Sequence, residues 1–242
     1  MNLTTIIATR HPKEVPTSQV IANDTKSVID TEPLRAESIH KPSQLYFLSK
    51  RFIDISLSVF GIIVLLPVLL IIALCIKLDD GGSIFHFREI IGEKGRRFYA
   101  LKFRTMIPDA DSYLVKHPEL LRKFQKNMKL ERDPRITRMG KFLRKTSLDE
   151  LPQLFNVLIG QMSLVGPRII HPSELPRFGQ NAQKRLSVKP GITGLWQISA
   201  RQHICYDERV QLDMRYIDTR SFIVDLTILV KTLKVFIVHT GA

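Results

Sequence analysis

An apolar run long enough to meet a lipid bilayer constrains the fold of this 242-residue chain more than any other feature. Residues 57–76 are apolar except for Ser58, and Gly61 and Pro67 interrupt them. A helix of this length extends about 30 Å, which matches the hydrocarbon thickness of a membrane. The run therefore predicts a membrane helix, whose plainest form would cross the bilayer once.

Two features favour a helix that returns to the side from which it entered. Pro67 lies near the middle of the run, where a proline removes a hydrogen bond and bends a helix. Basic residues flank both ends, Lys50 and Arg51 before the run and Lys77 after it, and such flanks stay on the cytoplasmic side. The sequence therefore favours a re-entrant hairpin bent at Pro67. Asp54 is expected to pair with Lys50 or Arg51 at its entrance.

The residues before the apolar run differ in charge from those that follow it. Residues 1–43 have no aromatic residue, and their five basic and five acidic residues cancel, so the net charge of +13 lies in residues 44–242. That charge predicts an anionic partner, which is nucleic acid, a membrane surface or a phosphorylated substrate. We predict a disordered polar tail over 1–43, a re-entrant membrane helix over 44–78 and a cytoplasmic catalytic domain over 79–242.

The remaining segments predict more helix than strand. Two short strands over 83–88 and 97–104 flank a glycine-containing turn, which is typical of a β-hairpin. Amphipathic helices are predicted over residues 118–130, 151–159 and 221–239, the last either in the core or at the membrane interface. The expected fold class is α+β and mostly helical: a re-entrant membrane helix hairpin followed by a small catalytic domain with a β-hairpin and interfacial amphipathic helices.

One acidic pair, Asp149-Glu150, stands among basic residues. Six of them bracket the pair: Arg135, Arg138, Lys141, Arg144, Lys145 and Arg168. A carboxylate that opens a helix among arginines is held ionised by the dipole and the positive charge, which makes it an available nucleophile. The guanidinium group suits phosphate oxygens, so the pair suits an aspartyl-phosphate intermediate, with a divalent ion to reduce repulsion.

Local spacing also supports a plainer interpretation of this pair. Ser147 and Glu150 have the spacing of a capping box. Alternatively, Asp149 is the N-cap and Pro152 falls at the third helical position, where its missing N–H costs nothing. We prefer the second register, because the first puts Pro152 where an intrahelical hydrogen bond is due. From spacing alone, capping is favoured over chemistry.

Six motifs occur in a fixed order along the chain. They are Lys50-Arg51-x-x-Asp54, Lys102-Phe103-Arg104-Thr105-Met106, Asp133-Pro134-Arg135-Ile136-Thr137, residues 147–153, Val165-Gly166-Pro167-Arg168 and Lys189-Pro190-Gly191-Ile192-Thr193-Gly194. With them, residues 46–242 resemble the bacterial sugar transferases, the monotopic polyprenyl-phosphate phosphoglycosyl transferases. The resemblance implies that Asp149 attacks a UDP-sugar, that UMP leaves, and that undecaprenyl phosphate then takes the sugar phosphate from the enzyme.

The resemblance also implies roles for further residues and a cofactor. Mg²⁺ is expected beside Asp149, with Glu150 as base or metal partner. The positions matching phosphate or nucleotide binding are Arg144 and Arg168, and more loosely Lys102, Arg104 and Lys189. Pro67 matches the bend of a re-entrant helix, which implies the bacterial inner membrane with the catalytic domain on its cytoplasmic face. Three residues depart from the family pattern. Leu66 replaces a serine and predicts less support for that bend. Gln161 replaces a carboxylate, and Ile169 replaces a proline, which predicts a less rigid loop.

The expected product primes exopolysaccharide, O-antigen or capsule synthesis. UDP-glucose or UDP-galactose is the favoured donor, and an N-acetylated amino sugar donor is the alternative. A basic, membrane-tethered binding or scaffold protein is the alternative from another class. We expect the bilayer as a partner and no nucleic acid, because no zinc-finger or RNA-binding signature occurs. A homo-oligomer is left open, and the chain is expected to be a minimal catalytic form.

Overall fold

The longest element of the protein is a helix that contains the whole apolar run. The computed structural model describes residues 42–127, 130, 132–199 and 205–239, so most of the predicted polar tail lies outside the described residues. Helix α1 spans Gln44–Asp80. The Ser43 hydroxyl accepts a hydrogen bond from the backbone N–H of Tyr46, and Gly81 ends the helix in the left-handed conformation that favours glycine.

Helix α1 continues through Pro67 with no turn between its two halves. A continuous helix is compatible with the predicted bend, because a proline removes one backbone hydrogen bond while the Leu, Ile and Val residues on both sides keep theirs. The predicted re-entrant path stays a prediction. By length and composition, α1 is the one described helix able to cross a membrane. Its placement relative to a bilayer stays a prediction.

Both halves of α1 contact the domain that follows. In the first half, the Arg51 guanidinium donates to the carbonyl oxygens of Val157 and Leu158 at 2.6 and 2.7 Å. In the second half, Leu69, Ile72 and Ile76 of α1 form a small core with Phe103 and Leu143 of the domain. The other face of α1 leaves large apolar side chains exposed, among them Phe52, Phe60, Ile63, Ile71 and Leu74. The helix therefore lies along the domain and presents an apolar face.

The predicted β-hairpin is confirmed. Strands β1 (Phe85–Ile91) and β2 (Arg97–Phe103) pair antiparallel, with Phe85 opposite Phe103 and Ile91 opposite Arg97. A second pair was not predicted: β3 (Ser163–Val165) and β4 (Gly191–Thr193) run parallel. Three-residue strands carry too little alternation to show in a sequence, because strand patterns need at least four residues.

Helices account for most of the remaining described residues and confirm a mostly helical α+β fold. They are α2 (Ala110–Lys116), α3 (Pro118–Asn127), α4 (Arg138–Thr146), α5 (Gln153–Leu158), α6 (Ala182–Arg185), α7 (Leu195–Ser199), α8 (Tyr206–Thr219) and α9 (Phe222–His239), with 3-10 helices over Leu148–Glu150 and Pro172–Asn181. The main core joins the hairpin, α5, β3, α8 and α9 through Ile90, Ala100, Val157, Met162, Tyr216 and Ile228. The 3-10 turn Leu148–Glu150 contacts β2 and α4, and Leu148 packs against the small core shared with α1.

Helix α4 approaches the end of β2 so closely that only glycine fits at the contact. A Cβ on Gly140 would overlap the backbone carbonyl of Thr105. We expect Gly140→Ala to lower the free energy of unfolding by about 3 kcal/mol, because a backbone atom has no rotamer with which to move aside. Denaturant unfolding in detergent micelles measures it. The control is Gly61→Ala, whose Cβ stands 3.4 Å from Leu154. An equal effect of the two substitutions would contradict this account.

Candidate active site

The Asp149-Glu150 pair lies in the 3-10 turn Leu148–Glu150 between α4 and α5. Ser147 ends α4 in the left-handed conformation, with φ of 57°, and makes no capping hydrogen bond to the next turn. Both capping interpretations are therefore wrong. A capping residue needs an extended backbone, whereas Ser147 is left-handed and Asp149 already lies inside the turn. The pair is free for other contacts.

Glu150 is held by two cations from distant parts of the chain. The Lys102 ammonium on β2 lies 2.5 Å from Glu150 Oε1, and Arg168 Nη2, after β3, lies 3.4 Å from the same oxygen. Burial by itself would raise the pKa of Glu150, but the charges of Arg168 and Lys102 outweigh it and hold the pKa below its usual value. Glu150 is therefore an ionised carboxylate that fixes two phosphate-binding side chains.

Asp149 contrasts with its neighbour. Among the described residues, no side chain donates a hydrogen bond to its carboxylate or forms an ion pair with it, and the residue is half-buried. Burial raises the pKa of Asp149; the Lys102 charge opposes the rise and the Glu150 charge adds to it. The predicted direction, a carboxylate held ionised by the helix dipole and nearby cations, is wrong. Burial outweighs the charges, and a 3-10 turn of three residues has little dipole.

Arg144 is a second cation whose charge acts on Asp149. Its Nε donates to the Thr105 hydroxyl at 2.9 Å, and its charge favours the ionised form of Asp149. Thr105 follows strand β2, which also carries Lys102. The structure thus brings together four predicted residues, Lys102, Arg144, Arg168 and Glu150, around Asp149. The charges of Lys102 and Arg144 act on Asp149, and Glu150 holds Arg168 beside it. These cations can hold an anionic ligand against a carboxylate that has no side-chain partner among the described residues.

Sequence reasoning missed a second layer behind Arg168. The guanidinium groups of Arg168 and Arg209 lie 5.2 and 5.3 Å from the centre of the Trp196 ring. Arg185 donates to the Arg168 carbonyl at 2.7 Å, and burial raises the pKa of nearby Asp213 to about 6 against the charges of Arg185 and Arg209. These residues come from α6, α7 and α8. No local pattern groups them, because these three helices are separated along the chain.

Two predicted substrate-binding residues do not contact the pair. Arg104 forms an ion pair with Asp80 at the end of α1. The Lys189 ammonium lies beside Gly160 and Arg51, at the start of α1. Their roles in substrate binding stay predictions. Arg104 connects the end of α1 to the domain, and Lys189 lies beside the start of α1.

The first motif of the chain anchors α1 rather than pairing within itself. The Lys50 ammonium lies 2.7 Å from the Asp225 carboxylate on α9. Asp54 accepts hydrogen bonds from the Ser163 hydroxyl and the Leu164 N–H at 3.0 and 2.9 Å. The predicted pairing of Asp54 with Lys50 or Arg51 is wrong, because β3 supplies both donors. The hydrogen bonds from the domain therefore stabilise the buried Asp54 carboxylate.

The three departures from the family pattern occupy different environments. Gln161 Oε1 accepts a hydrogen bond from Asn156 Nδ2 at 2.7 Å, so an uncharged acceptor serves where the pattern has a carboxylate. Ile169 is buried in the main core, which constrains the loop that was expected to be looser. Leu66 is exposed on α1. None of the three contacts Asp149 or Glu150.

Magnesium fits this site as an ion shared with a substrate. The described residues contain no group of three or more His, Cys, Asp or Glu that could hold a metal ion by themselves. Mg²⁺ is usually bound through one or two carboxylates together with substrate phosphates and water. Asp149 offers one carboxylate with no side-chain partner in the described part of the chain, whereas Glu150 is occupied by Lys102 and Arg168. One available carboxylate suits a metal ion that binds together with a phosphorylated substrate.

Comparison with known proteins identifies the family. The model of the bacterial sugar transferase family matches residues 45–239. The chain belongs to this family. It is 47% identical to an uncharacterized sugar transferase of Haemophilus influenzae over 80% of this chain and 42% of that protein. It is 40% identical to the exopolysaccharide production protein ExoY of Sinorhizobium fredii, over 81% and 88% of the two chains.

A third relative has a more specific name. The chain is 43% identical to the undecaprenyl-phosphate galactose phosphotransferase of Salmonella typhimurium over 80% of this chain and 41% of that protein. The chain therefore spans less than half the length of the Haemophilus and Salmonella relatives and most of the length of ExoY.

Proposed function

We propose that this protein transfers a sugar 1-phosphate from a UDP-sugar to undecaprenyl phosphate through a covalent intermediate on Asp149. The carboxylate without a side-chain partner, beside cations that are fixed by Glu150, is the observation that carries the proposal. The names of two relatives support it, the Salmonella undecaprenyl-phosphate galactose phosphotransferase and the undecaprenyl-phosphate glucose phosphotransferase of Komagataeibacter xylinus. The product would prime exopolysaccharide, O-antigen or capsule synthesis.

The reaction consists of two displacements at one phosphorus atom. An Asp149 oxygen forms a bond to the sugar-bearing phosphorus, the bond between the two donor phosphates breaks, and UMP leaves with the electron pair. An oxygen of undecaprenyl phosphate then attacks the same phosphorus, and the carboxylate of Asp149 leaves. Magnesium, held by Asp149 and the donor phosphates, would offset their negative charge. Arg144 and Arg168 bind phosphate oxygens in both steps.

Glu150 acts by holding cations rather than by taking a proton. Its pKa lies below the usual value, so it is a weak base. Its oxygen orients Lys102 and Arg168, and the Arg168 guanidinium lies 5.2 Å from the centre of the Trp196 ring. These contacts support a site organised before the donor arrives, which lowers the cost of stabilising charge during the reaction.

The assay for this function measures UMP. Membranes that contain the full chain are incubated with undecaprenyl phosphate, magnesium and one UDP-sugar at a time. We expect UMP release with UDP-glucose or UDP-galactose, and release with N-acetylated donors alone would assign the alternative donor class. No release with any donor would exclude the transferase function and favour a membrane-tethered binding protein.

The proposed location is the cytoplasmic face of the bacterial inner membrane, with both ends of α1 on that face. Arg51 contacts α5, and Asp80 contacts Arg104 after β2, so one domain meets both ends. In a variant without native cysteines, we expect Leu45→Cys and Asp79→Cys to resist an impermeant maleimide in spheroplasts and to react after lysis. Labelling of only one of them in spheroplasts would mean a spanning helix.

A further inference from the structure

A cavity of about 260 Å³ lies beside the first half of α1, and neither Asp149 nor Glu150 lines it. Its basic side chains come from separate parts of the chain: Lys50 and Arg51 on α1, Lys189 before β4, and Arg220 between α8 and α9. Phe47 lines the same cavity. The fold therefore gathers four cations at a place away from Asp149 and Glu150, and one of them, Lys189, is also a predicted substrate-binding residue.

Three of these cations have no carboxylate partner among the described residues. Lys50 is neutralised by Asp225 at 2.7 Å. The hydrogen bonds of Arg51 to described residues go to backbone carbonyl oxygens, and Lys189 forms no ion pair with described residues. Arg220 buries its Nε and Nη1 without an acceptor in the described part of the chain. A buried guanidinium nitrogen without an acceptor is costly, so an anion in the cavity would be stabilised.

Acidic residues in the lining do not remove this excess. Asp54 is occupied by the Ser163 hydroxyl and the Leu164 N–H. Glu93, on the turn between β1 and β2, is the other acid that lines the cavity. One remaining acid faces three cations that lack a carboxylate partner. The chemistry of the cavity therefore matches a phosphate group.

The surroundings of the cavity favour a lipid phosphate over a soluble one. Phe47 lines the cavity and is 49% exposed, and Leu48, the next residue, is 70% exposed. A soluble ion would leave this apolar surface in water, whereas the acyl chains of a phospholipid would cover it. We propose that the cavity binds the headgroup phosphate of an anionic bilayer phospholipid and thereby fixes the first half of α1 at the membrane surface.

The test measures lipid binding by the full chain in detergent micelles. Short-chain phosphatidylglycerol, short-chain phosphatidylcholine and inorganic phosphate are titrated separately and followed by calorimetry. We expect one saturable site for phosphatidylglycerol, about tenfold tighter than for phosphatidylcholine and inorganic phosphate. Equal affinity for the two lipids would overturn the proposal. So would inorganic phosphate binding as tightly as phosphatidylglycerol, which would assign the cavity to a soluble ion.

Variants locate the binding. We expect Lys189→Gln with Arg220→Gln to weaken phosphatidylglycerol binding about a hundredfold, since each charge-assisted hydrogen bond contributes about tenfold. Lys189→Arg with Arg220→Lys keeps the charge and should restore most of the affinity. The matched control removes two exposed cations elsewhere, Lys116→Gln with Arg122→Gln, and should bind like the unmodified chain. Unchanged binding in the first variant would overturn the proposal.

A single substitution at the half-exposed Lys189 distinguishes a folding defect from a binding defect. If the double variant fails to unfold cooperatively in micelles, Lys189→Gln alone carries the test, with an expected loss of about tenfold. Unchanged affinity in that folded variant would also overturn the proposal. UMP release is measured separately, so failure of lipid binding and failure of the transferase function are distinguishable.

Discussion

Asp149→Asn should reduce UMP release about 10⁴-fold or more at saturating donor, with undecaprenyl phosphate and magnesium present. An amide has the same shape as the carboxylate but lacks the anionic oxygen that forms the bond to phosphorus. No described side chain forms a hydrogen bond or an ion pair with the Asp149 carboxylate, so the fold should be unaffected. Denaturant unfolding of the variant should match that of the unmodified protein, which assigns the loss to chemistry.

A second measurement identifies the intermediate itself. With donor alone, the mass of the intact protein should increase by one sugar phosphate, and Asp149→Asn should show no increase. The control is Asp111→Asn, an acid whose side chain is 98% exposed, which should keep its rate within about twofold. Full UMP release by Asp149→Asn would contradict its role as nucleophile while leaving the overall reaction in place.

Glu150→Gln should reduce kcat/KM about 10²- to 10³-fold, because the neutral amide no longer fixes the two cations that stabilise the transferring phosphate. Lys102 Nζ lies 2.5 Å and Arg168 Nη2 lies 3.4 Å from the oxygen that loses its charge. The control is Glu89→Gln. Glu89 forms an exposed ion pair with Arg97 on the β1–β2 hairpin that also carries Lys102, and its substitution should have little effect. Equal losses in both variants would mean that the hairpin, not the site, is perturbed.

The pH profile of the same variant tests the electrostatics of the pair. A nucleophilic carboxylate must be ionised, so log kcat/KM should fall on the acid side through the pKa of Asp149, which burial raises above its ordinary value. Glu150→Gln removes a charge that adds to this rise and releases Lys102 toward Asp149. Its acid limb should therefore move to lower pH, even though the plateau is lower. Movement to higher pH would contradict this account.

Local patterns predicted the elements that depend on neighbouring residues. The β-hairpin followed from two short strands around a glycine turn, and helices near 118–130 and 221–239 followed from apolar periodicity. The apolar run predicted a long helix, and α1 contains the whole of that run. The three-residue parallel pair β3 and β4 left no local signal, since its partners lie far apart along the chain.

What the sequence by itself determined is the family, the long apolar helix and the acidic pair with its basic neighbours. Only the tertiary structure decided what the pair does locally. Ser147 turns left-handed, so neither capping arrangement forms. Lys102 and Arg168 contact Glu150, while no described side chain pairs with Asp149. It also reversed the expected pKa shift of Asp149. The physical reason is that burial and ion pairing depend on residues brought together from distant segments, whereas helix and turn patterns depend on neighbours along the chain.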